Sequence, residues 1–212
     1  SQQNIGRRPM SLRIAPRRVN AIGILVTRHA IKCVLMDITG ERIDQSAEPI
    51  AEGATTEQFE RQMLSQVRAM LRAHPQLRFA GIGVSCIGPL DIQEQTLLYP
   101  PNFRGLGGIR IGRLLRREFH LPIYIDNDMN TCALAEQFYG LGRGVANLIY
   151  VGFGSGVGAG MIVNGQMLHG GSGFAGELGH VSADINGPQC FCGQRGCLET
   201  YTSTGALLAA SG

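Results

Sequence analysis

Polar and apolar residues alternate in three short runs near the start of the chain, at residues 19–26, 31–36 and 42–46. A period of two is typical of β-strands, and turn-forming residues at 37–41 separate the second run from the third. The pattern therefore predicts a meander of three strands. A further apolar run at 79–85 predicts a fourth strand.

Apolar positions change to a helical spacing after Thr55, which can form a capping box with Gln58. His74-Pro75 marks the end of this predicted helix. Its apolar stripe comprises Phe59, Met63, Val67 and Met70. The same reasoning predicts helices at 111–119, at 129–139 and from Leu198, and strands at 121–125, 147–153, 157–163 and 166–169. Alternating strands and helices predict an α/β protein, and glycines at 140–144 predict a hinge.

Composition restricts the class of protein. A chain of 212 residues with 44% hydrophobic residues can bury one large core or two small ones. Because no apolar run reaches membrane-spanning length and no apolar signal core follows the N-terminal arginines, we expect a cytoplasmic protein without membrane contact. The net charge of +3 is too small to indicate a nucleic-acid surface. Arginines crowd residues 1–18, which fits either a solvated linker or an arm that contacts phosphates.

Four metal-binding side chains occur close together in the sequence: His180, Cys190, Cys192 and Cys197. Glycines and a proline between them allow tight turns that would bring the four side chains to one point. Three thiolates and one imidazole complete a tetrahedral Zn²⁺ site with no position left for a reactive water, so such a site would be structural. The alternatives are buried free thiols or disulfides. The total of six cysteines fits a reducing compartment.

A glycine-rich stretch precedes this cluster. Glycines alternate with other residues over 152–160 and include Gly154, Gly156 and Gly158. Their backbone amides can approach a phosphate group or a neighbouring strand closely. The stretch predicts either a β-hairpin or a cradle for an anion, and the sequence leaves both open.

Asp126, Asn127 and Asp128 lie where a predicted strand meets a predicted helix. A side chain at the carboxyl edge of a sheet projects toward a crevice. A carboxylate there can act as a general base, and it can equally cap the helix.

Three segments together resemble the ROK family of repressors and sugar kinases: GELGH at 176–180, CFCGQRGCLE at 190–199 and DNDMNTCALAE at 126–136. The resemblance covers nearly the whole chain. It implies an actin-like (ribonuclease H-like) two-domain fold that binds a sugar beside a structural zinc. We therefore expect three segments, namely a basic linker at 1–18, a first α/β domain at 19–140 and an incomplete second α/β domain at 141–212.

The resemblance also implies roles for single residues. In the family's kinases, the residue matching Asp128 takes a proton from the sugar hydroxyl that attacks the terminal phosphate of ATP. His180 would use one ring nitrogen for zinc and the other for the sugar. The side chains expected to bind sugar hydroxyls are Asn102, Asn127, Asp128, Glu177, His180 and Glu199. The segment GRRPMSL at 6–12 resembles the junction that follows a winged helix-turn-helix in the family's repressors.

One motif of the family's kinases is replaced in this chain. Their Asp-x-Gly-Gly-Thr turn, which holds phosphate between the first two strands, corresponds here to GILVTRHA at 23–30, where Arg28 and His29 add bulk. We therefore expect the effector domain of a transcriptional regulator. It would bind a monosaccharide or sugar phosphate, act on DNA through a preceding domain and self-associate. One alternative is an ATP- and Mg²⁺-dependent hexose or amino-sugar kinase with Asp128 as base, and another is a zinc-binding scaffold for a protein partner.

Overall fold

Ten strands and five α-helices make up the described part of the chain. The computed structural model describes residues 15, 17–100, 103 and 105–211. The strands are β1 (Asn20–Val26), β2 (Ala30–Asp37), β3 (Arg42–Pro49), β4 (Phe79–Cys86), β5 (Leu90–Asp91), β6 (Thr96–Leu97), β7 (Ile123–Asn127), β8 (Leu148–Phe153), β9 (Val157–Val163) and β10 (Gln166–Met167). The helices are α1 (Thr56–Ala73), α2 (Ile111–Phe119), α3 (Asp128–Tyr139), α4 (Glu199–Thr202) and α5 (Thr204–Ser211), with a 3₁₀ helix at Leu178–His180.

A five-stranded mixed sheet has the order β3-β2-β1-β4-β7. β1 pairs antiparallel with β2, as a meander requires, and parallel with β4, which in turn pairs parallel with β7. Alternate residues of β1 are buried, so Ile22, Ile24 and Val26 enter the core. Because β4 and β7 run parallel, their carboxyl ends at Cys86 and Asn127 lie side by side at one edge of the sheet. The candidate site forms at that edge.

Helices α1 and α2 share a hydrophobic cluster with this sheet. α1 begins with the predicted capping box, because the Gln58 N–H donates to the Thr55 hydroxyl and the Thr55 N–H donates to the Gln58 side chain. All four residues of its predicted apolar stripe are buried. Phe59, in this stripe, meets Phe103 edge to face with ring centroids 5.9 Å apart. α1 therefore forms where the sequence predicts it and buries the predicted face.

Helix α3 lies between the larger sheet and a three-stranded antiparallel sheet of order β10-β9-β8, since it contacts β4 and β7 of one and β8 and β9 of the other. Close approach of α3 to the smaller sheet depends on glycine. A Cβ at Gly158 would lie 2.9 Å from Met129 Cγ, and a Cβ at Gly160 would overlap the Met129 carbonyl oxygen. Part of the glycine-rich stretch therefore provides the surface on which α3 packs.

Several element bounds differ from the sequence predictions for physical reasons. β7 begins at Ile123 because the preceding Pro122 has no N–H to contribute to a ladder. β3 extends to Pro49, since β2 remains paired with it as far as Ala30. The single helix predicted from Leu198 is instead two helices, separated by extended backbone at Ser203 (ψ 155°). The two-residue strands β5 and β6 were not predicted.

Some sequence expectations fall outside the described residues. These are Asn102 and most of the predicted basic linker. Gly140 ends α3 as its C-cap, whereas a domain boundary between residues 140 and 141 stays a prediction. Among the described helices, none combines the length and the apolar character that a membrane crossing requires.

Candidate functional site

One cleft of about 720 Å³ is lined by eight of the nine residues predicted to bind sugar or phosphate. It is bordered by the carboxyl end of β7, the start of α3, the turn between β8 and β9, and the segment that leads into the 3₁₀ helix. The predicted residues that line it are Asn127, Asp128, Gly154, Gly156, Gly158, Glu177, His180 and Glu199. A volume of this size is typical of small-molecule sites.

Two neighbouring residues at the start of α3, Asn127 and Asp128, have different positions in the site. Asn127 caps the helix, because its Oδ1 accepts a hydrogen bond from the Met129 N–H at 2.8 Å. Asp128 Oδ1 accepts from the same N–H at 3.0 Å, and the side chain lines the cleft. Burial raises the pKa of Asp128, while the Met129 N–H and the charge of Arg28 oppose that rise. Asn127 therefore caps α3, and Asp128 is one of the carboxylates that line the cleft.

Asp126 connects β7, α3 and the smaller sheet. Its Oδ1 accepts from the Asn127 N–H at 2.7 Å and from Asn130 Nδ2 at 2.8 Å. Its Oδ2 lies 2.8 Å from Nε2 of His169, which follows β10. These three contacts fix the strand-to-helix junction from which Asp128 projects.

The four predicted metal ligands converge into one group, which we call the His-Cys cluster: His180, Cys190, Cys192 and Cys197. Their ligand atoms all lie within 4.8 Å of one another. Cys192 Sγ lies 3.6 Å from Cys197 Sγ, and Cys190 Sγ lies 3.7 Å from His180 Nδ1. Around a tetrahedral ion with metal–sulfur bonds of about 2.3 Å, neighbouring ligand atoms are separated by about 3.5–3.8 Å. The donor set and these spacings therefore fit a metal ion such as zinc.

Tight turns hold the cluster in place. The Cys190 N–H donates to the Gln194 carbonyl, and the Gly193 N–H donates back to the Cys190 carbonyl. Gly196 has a positive φ of 66°, and a Cβ there would overlap the Asp184 carbonyl oxygen. Both the backbone conformation and the space at residue 196 therefore require glycine.

All six cysteines lie in the described part of the chain and carry free thiols. The Sγ atoms of Cys192 and Cys197 are 3.6 Å apart, far beyond a disulfide bond length of about 2.05 Å. Burial raises the pKa of Cys190 to about 12 and also raises the pKa of Cys197. A backbone hydrogen bond from Gln194 lowers the pKa of Cys192. A dication would favour the thiolate at all three cysteines, so metal binding would release protons.

His180 connects the cluster to the cleft. Its Nδ1 faces the cluster, whereas its Nε2 lies 3.9 Å from a carboxylate oxygen of Glu177 in the cleft. Glu199 Oε1 lies 3.7 Å from Nδ1 and accepts from Cys190 Sγ at 3.4 Å. Phe191 meets the imidazole edge to face with ring centroids 5.2 Å apart. The geometry thus places Nδ1 on the side of the His-Cys cluster and Nε2 on the side of the cleft.

The cleft is acidic. Four carboxylates line it, from Asp126, Asp128, Glu177 and Glu199, and Arg28 is the one arginine or lysine among the described lining residues. Burial raises the pKa of Glu177, an effect that His180 opposes and the nearby carboxylates of Glu199 and Asp128 reinforce. Carboxyl groups with raised pKa values can accept hydrogen bonds from sugar hydroxyls and, once protonated, can donate to them.

The turn between β1 and β2 reaches the smaller sheet across one end of the cleft. Thr27 Oγ1 accepts from the Ala30 N–H at 3.0 Å, which fixes the turn. Arg28 Nη1 then donates to Ser155 Oγ, in the turn between β8 and β9, at 2.8 Å. This Arg28–Ser155 contact joins the two sheets at a point where we expected only steric bulk.

The three glycines predicted to bind phosphate differ in their surroundings. A Cβ on Gly154 would meet nothing within 4 Å, and one on Gly156 would lie 3.3 Å from a carboxylate oxygen of Glu199. Gly158 packs on Met129 of α3. The hairpin interpretation is confirmed, because β8 and β9 pair as far as Phe153 and Val157. Phosphate binding stays a prediction, and Gly154 has the most space for it.

Two contacts of this site were missed by sequence reasoning. The Arg28–Ser155 contact joins residues 127 positions apart, and the Asp126–His169 contact joins residues 43 positions apart. His169 is followed by two glycines and carries no local pattern that points to Asp126. The sequence offered one signal for the first contact, the charge of Arg28 in the β1–β2 turn, and that signal did not identify a partner.

The chain is similar to a known protein family, to curated proteins and to solved structures. Residues 21–212 match the ROK family. The xylose repressor of Caldicellulosiruptor bescii is 32% identical over 206 residues, which cover 96% of this chain and 51% of the repressor. A ROK family transcriptional regulator, a homologue of the Escherichia coli Mlc protein, has a TM-score of 0.82 at 25% identity and covers 91% of this chain and 48% of its own. A ROK family glucokinase from Streptomyces griseus, solved with glucose and AMPPNP, has a TM-score of 0.74 at 26% identity and covers 90% of this chain and 59% of its own.

The chain spans about half the length of the curated xylose repressors that it matches, with 51% of one and 54% of another. The structural likeness confirms the predicted α/β, actin-like fold class. The family match extends over both sheets, the cleft and the His-Cys cluster. The chain therefore belongs to the ROK family.

Proposed function

We propose that this chain is the sugar-sensing effector part of a transcriptional regulator, with a monosaccharide or sugar phosphate bound in the cleft. The observation that carries the proposal is the convergence of amide, carboxylate and imidazole groups on the cleft, from Asn127, Asp128, Glu177, His180 and Glu199. Neighbouring hydroxyls of a sugar need paired donors and acceptors, and such side chains supply both. A polar group left unpaired in the site would penalise the wrong sugar.

The His-Cys cluster supports the sugar site in this proposal. His180 Nδ1 and the thiolates of Cys190, Cys192 and Cys197 would hold a zinc ion, which supplies a fixed positive charge that sets the tautomer and position of the imidazole. His180 Nε2 would then face the cleft and bind a sugar hydroxyl. Four protein ligands leave no coordination position for water, so the role of the cluster is structural.

Sugar binding would act on both halves of the molecule. Asp128 begins α3 beside the larger sheet, whereas Glu177 and His180 follow the smaller sheet. A ligand that contacts both groups favours one relative placement of the predicted domains, and this preference can bias a DNA-binding part outside this chain. Self-association of the regulator is also part of the proposal.

Titration calorimetry with xylose, glucose, N-acetylglucosamine and the 6-phosphates of the last two tests the proposal on the zinc-loaded chain. We expect one of these sugars to bind, and Glu177→Gln to weaken that binding about 10-fold through loss of a charged hydrogen bond. Glu48→Gln, on the exposed face of the edge strand β3, is the matched control and should bind like the wild type. The proposal fails if no sugar of the panel binds to zinc-loaded protein, and intact zinc without sugar affinity would favour the scaffold alternative.

A second candidate function, ATP-dependent sugar phosphorylation, is favoured by one observation. Asp128 lines the cleft and its pKa is raised by burial, as suits a general base. A coupled assay of ADP release with the three unphosphorylated sugars tests this candidate on the full-length gene product. Turnover that Asp128→Asn abolishes would replace the regulator proposal with the kinase.

A further inference from the structure

The solvent-facing side of helix α2 is almost entirely basic. Four residues of this helix are exposed, and three of them are arginines. The fourth, Glu118, forms an ion pair of 2.6 Å with Arg68 of α1, so its charge is matched within the protein. Arg110 and His120 lie just beyond the two ends of the helix and extend the same face, because residues three and four positions apart lie on one side of a helix. We call the following residues the α2 basic face: Arg110, Arg113, Arg116, Arg117 and His120.

The stability of the helix does not account for this face. Cations in the last turn of a helix interact favourably with its dipole, and Arg116 and Arg117 lie there. Arg110, however, is the N-cap residue and makes no side-chain cap, and Arg113 lies in a first turn that contains no acidic residue. The dipole disfavours cations at that end. Arg110 and Arg113 are therefore placed against the local preference, as is expected of residues retained for a function.

The α2 basic face leads to the edge of the larger sheet at which the chain enters it. Three residues connect α2 to β7, so the carboxyl end of α2 lies where the parallel strands begin, opposite the cleft. There the Ile82 N–H donates to the Pro122 carbonyl at 2.9 Å, and the Asn20 N–H donates to the Arg78 carbonyl at 3.0 Å. Only β4 separates β1 from β7, so the residues that enter these two strands lie about 10–15 Å apart. Arg18, which precedes β1, therefore borders the same edge as the end of α2.

Few acidic groups oppose this positive charge. Glu41, at the same edge, pairs with Arg17 at 3.2 Å. Glu94 adjoins the α2 basic face, since its neighbour Gln95 accepts a hydrogen bond from Arg116. Among the residues that the structure describes, six exposed arginines of the face and the edge have no carboxylate partner: Arg18, Arg72, Arg78, Arg110, Arg113 and Arg117. The protein itself therefore leaves an excess of positive charge on this side.

The spacing of the arginines fits a partner with regularly placed negative charges. Arg110, Arg113 and Arg117 span about 10 Å along the helix axis, at about 1.5 Å per residue. Phosphates follow one another at about 3.4 Å along the axis for each strand of a DNA duplex, so the three side chains can meet two or three of them. The arginine-rich segment at 1–18 joins the sheet at the same edge. A nucleic-acid backbone therefore fits the face and its surroundings together.

We propose that the α2 basic face is an accessory DNA-contact surface, which binds backbone phosphates beside the bases read by a DNA-binding part outside this chain. This inference rests on the proposed function as a transcriptional regulator. The contact would add affinity that does not depend on base sequence. Because the face leads away from the cleft toward the opposite edge of the sheet, DNA and sugar could be bound at the same time.

Fluorescence anisotropy with a labelled, random-sequence duplex of about 30 base pairs tests the surface on the full-length gene product, over a series of salt concentrations. Each phosphate contact contributes about 0.9 to the slope of the logarithm of affinity against the logarithm of salt concentration. The double variant Arg113→Ala/Arg117→Ala should reduce the slope by about 2 and weaken binding at least about 10-fold at about 0.1 M salt, and Arg117→Ala alone should reduce the slope by about 1. Lys32→Ala removes one exposed charge from β2 and is the matched control for Arg117→Ala, with an unchanged slope expected.

The outcomes separate this inference from sugar sensing. An unchanged slope in the double variant, or an equal decrease in Lys32→Ala, overturns the DNA-contact surface. Vesicles of equal parts phosphatidylglycerol and phosphatidylcholine are titrated in parallel, and arginine-dependent binding to vesicles without a change of slope on DNA would assign the face to a membrane and overturn the inference. Wild-type protein that binds no duplex would overturn it together with the regulator proposal. Both arginine variants should bind sugar like the wild type in calorimetry, and thermal unfolding confirms that they are folded.

Discussion

Two parts of the cleft wall, the His-Cys cluster and the Arg28–Ser155 contact, are held together in different ways. At the His-Cys cluster, all four ligands lie within residues 180–197, and short backbone hydrogen bonds fold the segment between them. Beside the cluster, Arg28 and Ser155 meet across 127 positions of sequence through a bond between side chains. The cluster is fixed by local chain geometry and by its donor set, whereas the Arg28–Ser155 contact depends on how the two sheets are placed. We therefore expect changes in the cluster to affect the whole site and changes in the contact to affect binding alone.

Loss of the metal should have the largest effect. Cys197→Ser removes a buried sulfur ligand of the cluster, and chelation of the zinc-loaded protein removes the whole centre. Structural zinc contributes about 10–16 kcal/mol of apparent binding free energy in small metal-dependent folds, so the 180–199 segment should lose its order. We expect sugar binding to fall at least about 100-fold together with metal content, measured by calorimetry and elemental analysis. Cys132→Ser, half-buried on α3 and outside the cluster, should retain both properties.

Gly196→Ala tests whether distortion of one local turn is enough to disrupt the cluster. A side chain there meets both a positive φ and the Asp184 carbonyl, so we expect a loss of about 3 kcal/mol or more in the free energy of unfolding. Gly193→Ala is the matched control, because residue 193 also has a positive φ, of 93°, but open space around its Cβ. It should cost about 1 kcal/mol in denaturant unfolding. Equal losses at the two glycines would contradict the packing argument.

Asp128→Asn should weaken sugar binding and, at neutral pH, stabilise the fold. We expect sugar affinity to fall about 100-fold, because a charged acceptor is lost from the cleft. Burial raises the pKa of Asp128, so the folded state binds this proton more tightly than the unfolded state does. The ionised carboxylate therefore destabilises the fold at pH values above its folded pKa, and the penalty disappears below the unfolded value of about 3.9.

Thermal unfolding at several pH values measures this second effect. Asp128→Asn should unfold at a higher temperature than the wild type at pH 7.5, and the difference should shrink as pH falls toward 4. Asp91→Asn, in the hairpin strand β5, should show no such pH-dependent gain. A variant that is less stable than the wild type at pH 7.5 would show that the carboxylate has stabilising partners that outweigh its burial.

His169→Ala should have the smallest effect of these changes. It removes the 2.8 Å contact with Asp126 Oδ2, but the imidazole is 38% exposed, so the loss should be about 0.5–1 kcal/mol in unfolding free energy. Sugar affinity should fall only about 3-fold, because the substitution would affect Asp128 only indirectly, through Asp126. His169→Gln offers an amide in place of the ring nitrogen and should recover part of the loss. A decrease in affinity as large as that of Asp128→Asn would place His169 in direct contact with the sugar.

The contrast between the cluster and the Arg28–Ser155 contact also explains what could be predicted from the sequence. The capping box at Thr55 and the buried stripe of α1 depend on neighbours a few positions away, and both are confirmed. The His-Cys cluster was predicted because its ligand types and spacing restrict the chemistry. The bond from Arg28 to Ser155 could not be predicted, since nothing within the β1–β2 turn specifies the position of the β8–β9 turn. The contact of Gly158 with Met129 could not be predicted either, because it depends on how α3 lies on the smaller sheet.

The central claim is that His180 binds metal through Nδ1 and presents Nε2 to a sugar, and ¹⁵N NMR of the imidazole tests it most directly. The zinc-loaded protein, labelled at histidine, is titrated with the sugar that calorimetry identifies, and His180→Gln assigns the signals. We predict that the Nδ1 resonance has the shift of a metal-bound nitrogen and stays fixed, while the Nε2 resonance moves with sugar occupancy. A metal-bound Nε2, or an Nε2 signal that is unchanged at saturating sugar, would contradict the account.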